Sequence, residues 1–159
     1  MENKKYDYVS KYYSGFAAVR IGYKWGFIDE KGNEICPIKY EFPDNKRLGT
    51  FWEGFAVVGA PNGKFVEVCG IKCECLGFGY INTQGEEMCS FIYTAACDFN
   101  DGVAWVRDEN MKWLLINNKF ETLTKRTYDK IHDFFYGLLL LNLMENLVLL
   151  TNLEKKFVK

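Results

Sequence analysis

The chain has 159 residues, with 20 lysines and arginines against 21 acids and a formal net charge of −1. A length of this order suits one domain with a buried core, and charges so evenly mixed exclude the basic excess of a dedicated nucleic-acid surface. Aromatic residues make up 17% of the chain, which favours strands, while the most apolar stretch, Gly137 to Leu150, is broken by Asn142, Glu145 and Asn146 and is too short to span a bilayer.

In chain order, Met1 to Lys5 lead into no apolar run, so no secretory signal is expected and the chain reads as cytoplasmic. Tyr12-Tyr13-Ser14-Gly15-Phe16-Ala17-Ala18-Val19 then opens a phrase that recurs. It returns as Phe51-Trp52-Glu53-Gly54-Phe55-Ala56-Val57-Val58 and as Phe99-Asn100-Asp101-Gly102-Val103-Ala104-Trp105-Val106. A worn copy runs from Phe134 to Leu141 around Gly137. Such a repeat governs the reading of the fold. Residues two and four after each glycine share one strand face. They are Ala17 and Val19, Ala56 and Val58, Ala104 and Val106, Leu139 and Leu141, so that face is the predicted core.

A second phrase follows each glycine: Trp25-Gly26-Phe27-Ile28-Asp29, Phe78-Gly79-Tyr80-Ile81-Asn82, Trp113-Leu114-Leu115-Ile116-Asn117 and Leu147-Val148-Leu149-Leu150-Thr151. Each is a predicted strand running into a turn. The turn ends on Gly32 or Gly85, where positive φ is free, but on Phe120 and Glu154 in the later copies. A third predicted strand precedes a spaced tyrosine: Glu34-Ile35-Cys36 before Tyr40, Glu87-Met88-Cys89 before Tyr93, and Thr122-Leu123-Thr124 before Tyr128. Tyr6 holds the same place at the start of the chain. The units are then residues 6–40, 40–93, 93–128 and 128–159. In this register the leucine-rich end is a hairpin turning at Met144-Glu145-Asn146, although leucine by itself favours helix.

Two insertions break the spacing, at residues 41–50 and 59–77. Insertions in repeats map to loops and mark a binding face. Asn62-Gly63 in the larger one is a predicted hairpin turn. Phe42, Arg47, Trp52, Phe65 and Ile71 are the candidate partner-binding residues, because aromatics and arginine are the usual anchors. Cys69, Cys73 and Cys75 are the candidate thiolate ligands for zinc, with a fourth ligand to come from Cys36, Cys89, Cys97 or His132. Against this, Cys36 and Cys89 share a repeat position and read as small packing residues. Redox thiols and plain loop thiols are the other readings. His132 is the one histidine and reads as an exposed loop residue; no catalytic constellation is assigned.

Lys24-Trp25-Gly26-Phe27-Ile28-Asp29-Glu30-Lys31-Gly32-Asn33-Glu34-Ile35, together with Phe51-x-Glu53-Gly54-x-Ala56-x-Val58, resembles the WG-repeat (KWG-repeat) family of bacterial proteins. The resemblance fades along the chain: Phe78 replaces the tryptophan, Leu114 the glycine, and the last unit keeps neither. It implies a β-repeat fold and a bacterial origin, and carries no catalytic signature. The expectation is an all-β protein of four degenerate three-stranded antiparallel units, solenoid-like or closed as a barrel- or propeller-like ring. The expected function is non-catalytic binding of another protein, one version being an inhibitor or immunity-type partner of a toxin. No cofactor, nucleic acid or membrane is expected as a partner. An aromatic-lined site for a carbohydrate or cell-wall fragment is the alternative, and a cysteine-based metal protein the second. The oligomeric state is left open.

Overall fold

The computed structural model describes residues 5–42, 50–124, 127–131, 139–143 and 146–150, the last two stretches by their backbone. Every regular element among them is a strand, and every pairing is antiparallel. The chain divides into two compact units, Met1–Ile92 and Tyr93–Lys159. In the first, β1 (Tyr8–Val9), β2 (Phe16–Ile21) and β3 (Lys24–Asp29) form one sheet in that order, and β4 (Phe55–Val68) pairs with β5 (Ile71–Asn82) in another. In the second, β6 (Ala95–Ala96), β7 (Val103–Arg107) and β8 (Trp113–Asn117) form a sheet. β9 (Lys130–Ile131), β10 (Leu139–Leu143) and β11 (Asn146–Leu150) form the other, with β10 central. None of these sheets closes on itself.

The repeated glycine phrase is a tight turn feeding a strand. Ser14 and Gly15 (φ 51° and 86°), Glu53 and Gly54 (51° and 86°), and Asp101 and Gly102 (52° and 76°) are all left-handed. Two successive left-handed residues make the two-residue turn whose twist matches a hairpin, and glycine tolerates that conformation best. Tyr13 and Phe16 exchange both backbone hydrogen bonds across it, as do Trp52 and Phe55. The strands that follow bury the predicted face: Ala17, Val19, Ala56, Val58, Ala104 and Val106 are all buried.

At the far end of the second phrase the polar residue organises the turn through its side chain. The Asp29 carboxylate accepts the backbone N–H groups of Lys31 and Asn33, and the Asn82 and Asn117 side-chain oxygens repeat this two and four residues on. Phe120 occupies the glycine position of the third copy at φ 65°, so the turn keeps its type and carries the strain. Its ring stands edge-on to Phe99, 5.8 Å between centroids.

The third strand is not where the sequence placed it. The stretch after each turn touches its neighbour at single bridges, Ile28 with Glu34 and Trp25 with Tyr40, then Ile116 with Thr122 and Trp113 with Tyr128. Three steps along β3 face six along the returning chain, so the return arches away between its ends and cannot form a ladder. The third strand of each three-stranded sheet instead follows the tyrosine, as the short β1, β6 and β9, while β4 and β5 pair as two strands alone. The glycine of the second phrase serves this arch. A methyl on Gly26 would sit 3.0 Å from Ile38 Cγ1 and 3.3 Å from the Pro37 carbonyl. Close backbone approach, and not positive φ, is its role.

In the first unit Ala18, Trp25, Phe27, Cys36, Tyr40, Phe51, Ala56, Val58 and Ile81 form one buried cluster, with Phe16–Phe51 and Phe27–Phe51 centroids 4.7 and 5.0 Å apart. The start of a copy is also stitched to its returning stretch at the surface. Tyr6 donates its hydroxyl to Glu34 and Tyr40 donates to Glu87, at 3.1 and 3.0 Å. Lys5 and Lys39, each just before its tyrosine, pair with the same carboxylates. Leu139–Leu143 and Asn146–Leu150 pair as the expected hairpin, whose turn residues Met144 and Glu145 lie outside the described residues.

Candidate functional site

The larger insertion is a hairpin arm and not a loop. It prolongs β4 and β5 to 14 and 12 residues. Its turn is Cys69-Gly70, both left-handed at φ 51° and 76°, and not Asn62-Gly63. Asn62-Gly63-Lys64 form a bulge: Pro61 pairs with Leu76 and Phe65 with Glu74, so three residues of β4 face Cys75 alone. Gly63, at φ 76°, makes the bulge feasible, and the Asn62 side chain accepts the Lys64 N–H while Glu74 accepts the Gly63 N–H. Bulges of this kind re-aim a strand.

The root of the arm is pinned. Gly59 exchanges both backbone hydrogen bonds with Glu41, at 2.7 and 2.8 Å, and a methyl on Gly59 would meet the Glu41 carbonyl at 2.8 Å. Gly77, across the hairpin, lies under the Phe91 carbonyl, which leaves no space for a side chain. Ala60 still packs against the core, but from Gly63 to Glu74 the arm is exposed, and its side chains alternate between two sides.

One side carries Phe65, Glu67, Lys72 and Glu74, with the Lys72 ammonium 4.4 Å from the Phe65 ring centroid. The other carries Val66, Val68, Ile71 and Cys73, and by alternation it continues the face on which Ala56, Val58 and Ile81 enter the core. Val66, Val68 and Ile71 are 50, 53 and 66% exposed. A core face thus runs out past the end of the core into solvent.

The candidate partner residues divide. Phe65 and Ile71 stand exposed on opposite sides of the arm, and Trp52 is exposed in its turn. Phe42 turns inward against Trp25 and Phe27, with centroids 4.9 and 6.1 Å away, and is committed to packing. Arg47 lies outside the described residues, as does His132. Phe51 is buried core.

Cys69 sits on the arm's turn and Cys73 on β5, both exposed, while Cys75 is half-buried opposite the bulge. Among the described residues, no three His, Cys, Asp or Glu side chains gather as a metal site. Cys36 is buried, and burial pushes its thiol up to about 11, the behaviour of a packing residue. Cys89 is shifted up by burial too.

Two features escaped the sequence reading. Val66 and Val68 were overlooked because the Asn62-Gly63 signal cut the strand before them. The Arg20 and Arg107 guanidinium groups lie 5.5 and 5.6 Å from the Trp25 and Trp113 ring centroids. The signal for this was present: each arginine lies five residues after the repeat glycine, where the middle copy has Gly59.

Recurring turn-strand-turn segments, together with an exposed hairpin arm, make the described residues those of a β-repeat protein. The model of the WG containing repeat family matches residues 3–25, 25–65 and 78–113, and the chain belongs to that family. The matches omit residues 66–77, the outer part of the arm, and residues 114–159. Among curated proteins none matches the chain. No helix of the described residues is long and apolar enough to cross a membrane.

Proposed function

We propose that this is a non-catalytic binding module that engages another protein through its hairpin arm. The observation behind the reading is the row Val66, Val68, Ile71, exposed on the outer part of the arm, which falls outside the family matches. A β-branched row on a two-stranded ribbon is costly to leave wet and suits burial against a partner. The sheets are read as four worn copies of one unit, arrayed as a solenoid or ring, in a bacterial cytoplasmic protein; a toxin held by an immunity-type partner is one concrete version. The test is capture from a lysate of the encoding organism, followed by mass spectrometry. The intact chain is compared with a chain lacking Pro61 to Cys75 and with Ile71→Asp, a substitution at an exposed site. A partner lost from both variants supports the reading, and equal capture by all three defeats it.

One observation favours a second reading. Tyr13 and Trp52 hold equivalent places in consecutive turns and both are 55% exposed. Spaced exposed aromatics can stack on the faces of a sugar. Quenching of Trp52 fluorescence by cell-wall oligosaccharides, absent in Trp52→Ala, is the expected sign. No response to a panel of such sugars removes this reading.

A further inference from the structure

We infer that the arm pairs with a second copy of this chain along the outer edge of β5, with Cys73 on the two-fold axis. The inference rests on the binding-arm reading for its setting, since pairing would double the apolar side that a partner meets. It stands on three observations about the edge itself.

The first is which backbone groups point outward. A two-residue turn at Cys69-Gly70 makes Val68 and Ile71 a hydrogen-bonded pair. Antiparallel pairs alternate, so Val66 and Cys73 are bonded too, while Lys72 faces Glu67 and Glu74 faces Phe65 without bonding. The N–H and C=O groups of Lys72 and Glu74 therefore point away from β4. Further in, the edge is occupied, since Met88 donates to the Tyr80 carbonyl and the chain at Phe91 lies over Gly77. Out on the arm no described strand pairs with it.

The second is charge. An axis through Lys72 sets that lysine against itself, and an axis through Glu74 sets two glutamates together. An axis through Cys73 places each Lys72 opposite the second copy's Glu74. Both pairs then exchange two backbone hydrogen bonds and match in charge. The β4 edge offers nothing comparable, because an axis through Val66 opposes Phe65 and Glu67. Opposite charges across a pair stabilise a sheet and like charges destabilise it.

The third is the position of Cys73. In this register the two copies' Cys73 residues form a pair without hydrogen bonds, with Cα atoms about 4.5 Å apart. That falls inside the disulfide range of roughly 4.4–6.8 Å. Cys73 thus reports the register. Oxidised glutathione would couple the two thiols into one disulfide, taking up two electrons and two protons as it becomes two reduced glutathiones.

The experiment is sedimentation of the full chain under reducing conditions across a wide concentration range, followed by oxidation. A dimer is expected. K72E and E74K should each weaken it about tenfold by setting like charges opposite, and the double variant K72E/E74K should restore it. Oxidation should give a covalent dimer that Cys73→Ser abolishes and Cys69→Ser leaves. A monomer at every concentration, a double variant no better than the single ones, or cross-linking through Cys69 in place of Cys73 overturns the inference. The functional reading fails separately: a dimer that captures no partner leaves the pairing standing, and an arm-dependent partner held by a monomer defeats the pairing alone.

Discussion

Gly32 and Gly85 close the same turn in successive copies, at φ 81° and 79°, and each N–H bonds a carbonyl three residues back at 2.9 Å. A sequence argument would treat them as equivalent. Their surroundings differ. A methyl on Gly32 meets nothing within 4 Å, whereas on Gly85 it would lie 2.7 Å from the Ile35 carbonyl carbon, nearer still to its oxygen, and 3.0 Å from Cys36 Cβ. Gly32→Ala therefore carries the left-handed penalty alone, about 1 kcal/mol. Gly85→Ala adds the cost of displacing backbone in a packed region, roughly 2–3 kcal/mol more. In a chain of this length that is a fall in Tm of about 3 °C against about 10 °C. Urea unfolding followed by circular dichroism gives the difference directly. Equal losses for the two variants would refute the claim that the turn of one copy seats on the returning stretch of the copy before it.

Further tests address charge, burial and thiols. Hydrogen bonding from Lys39 and then from Tyr40 holds the Glu87 carboxyl below its ordinary value. A depressed folded value means that this stabilisation is complete above the unfolded carboxyl range and is lost as pH falls through the folded value. Glu87→Gln should thus flatten the acid limb of the stability curve below about pH 4.5; an unchanged limb would show the stitch to be inert. The Cys36 thiol has the opposite sign, raised by burial from 9.0 to about 11. Its contribution is complete below the unfolded value and is lost as pH rises through that window, by roughly 2–3 kcal/mol in total. Cys36→Ala should lower stability at neutral pH while making the alkaline fall shallower; parallel curves would argue against it. A thiol-specific reagent should modify Cys69 and Cys73 rapidly in the native protein and Cys36 only on unfolding, with peptide mapping as the check.

The parts of this fold that were legible are those set by local chemistry. The positions two and four after Gly15, Gly54 and Gly102 read as buried and are, but period alone does not show that Ala18, Val103 and Trp105 bury the opposite face as well. The leucine-rich end read as strands because the repeat register outweighed helix propensity. What was not legible depended on chain length between fixed contacts. Glu34-Ile35-Cys36 looks like a strand, yet six steps cannot run beside three. Asn62-Gly63 carries a strong turn signal, yet a bulge uses the same left-handed glycine, and Cys69-Gly70 turned the chain with a weaker signal. At the candidate site, residue type pointed to Phe65, Ile71 and Trp52, and these are exposed. Phe42 was misjudged by the same criterion, since an aromatic beside an insertion can fill the core as readily as meet a partner.

The pinned root of the arm separates two kinds of sequence change. Everything inside Gly59 and Gly77 answers to the packing of the repeat, and everything outside answers to hairpin arithmetic. Adding one residue to each strand would exchange the two sides of the outer arm, turning the valines over. Adding two to each would lengthen it by one pleated repeat, roughly 7 Å, with every side chain facing as before. The arm is thus a cassette: its reach can be set in such steps and its exposed row rewritten without disturbing the body that carries it.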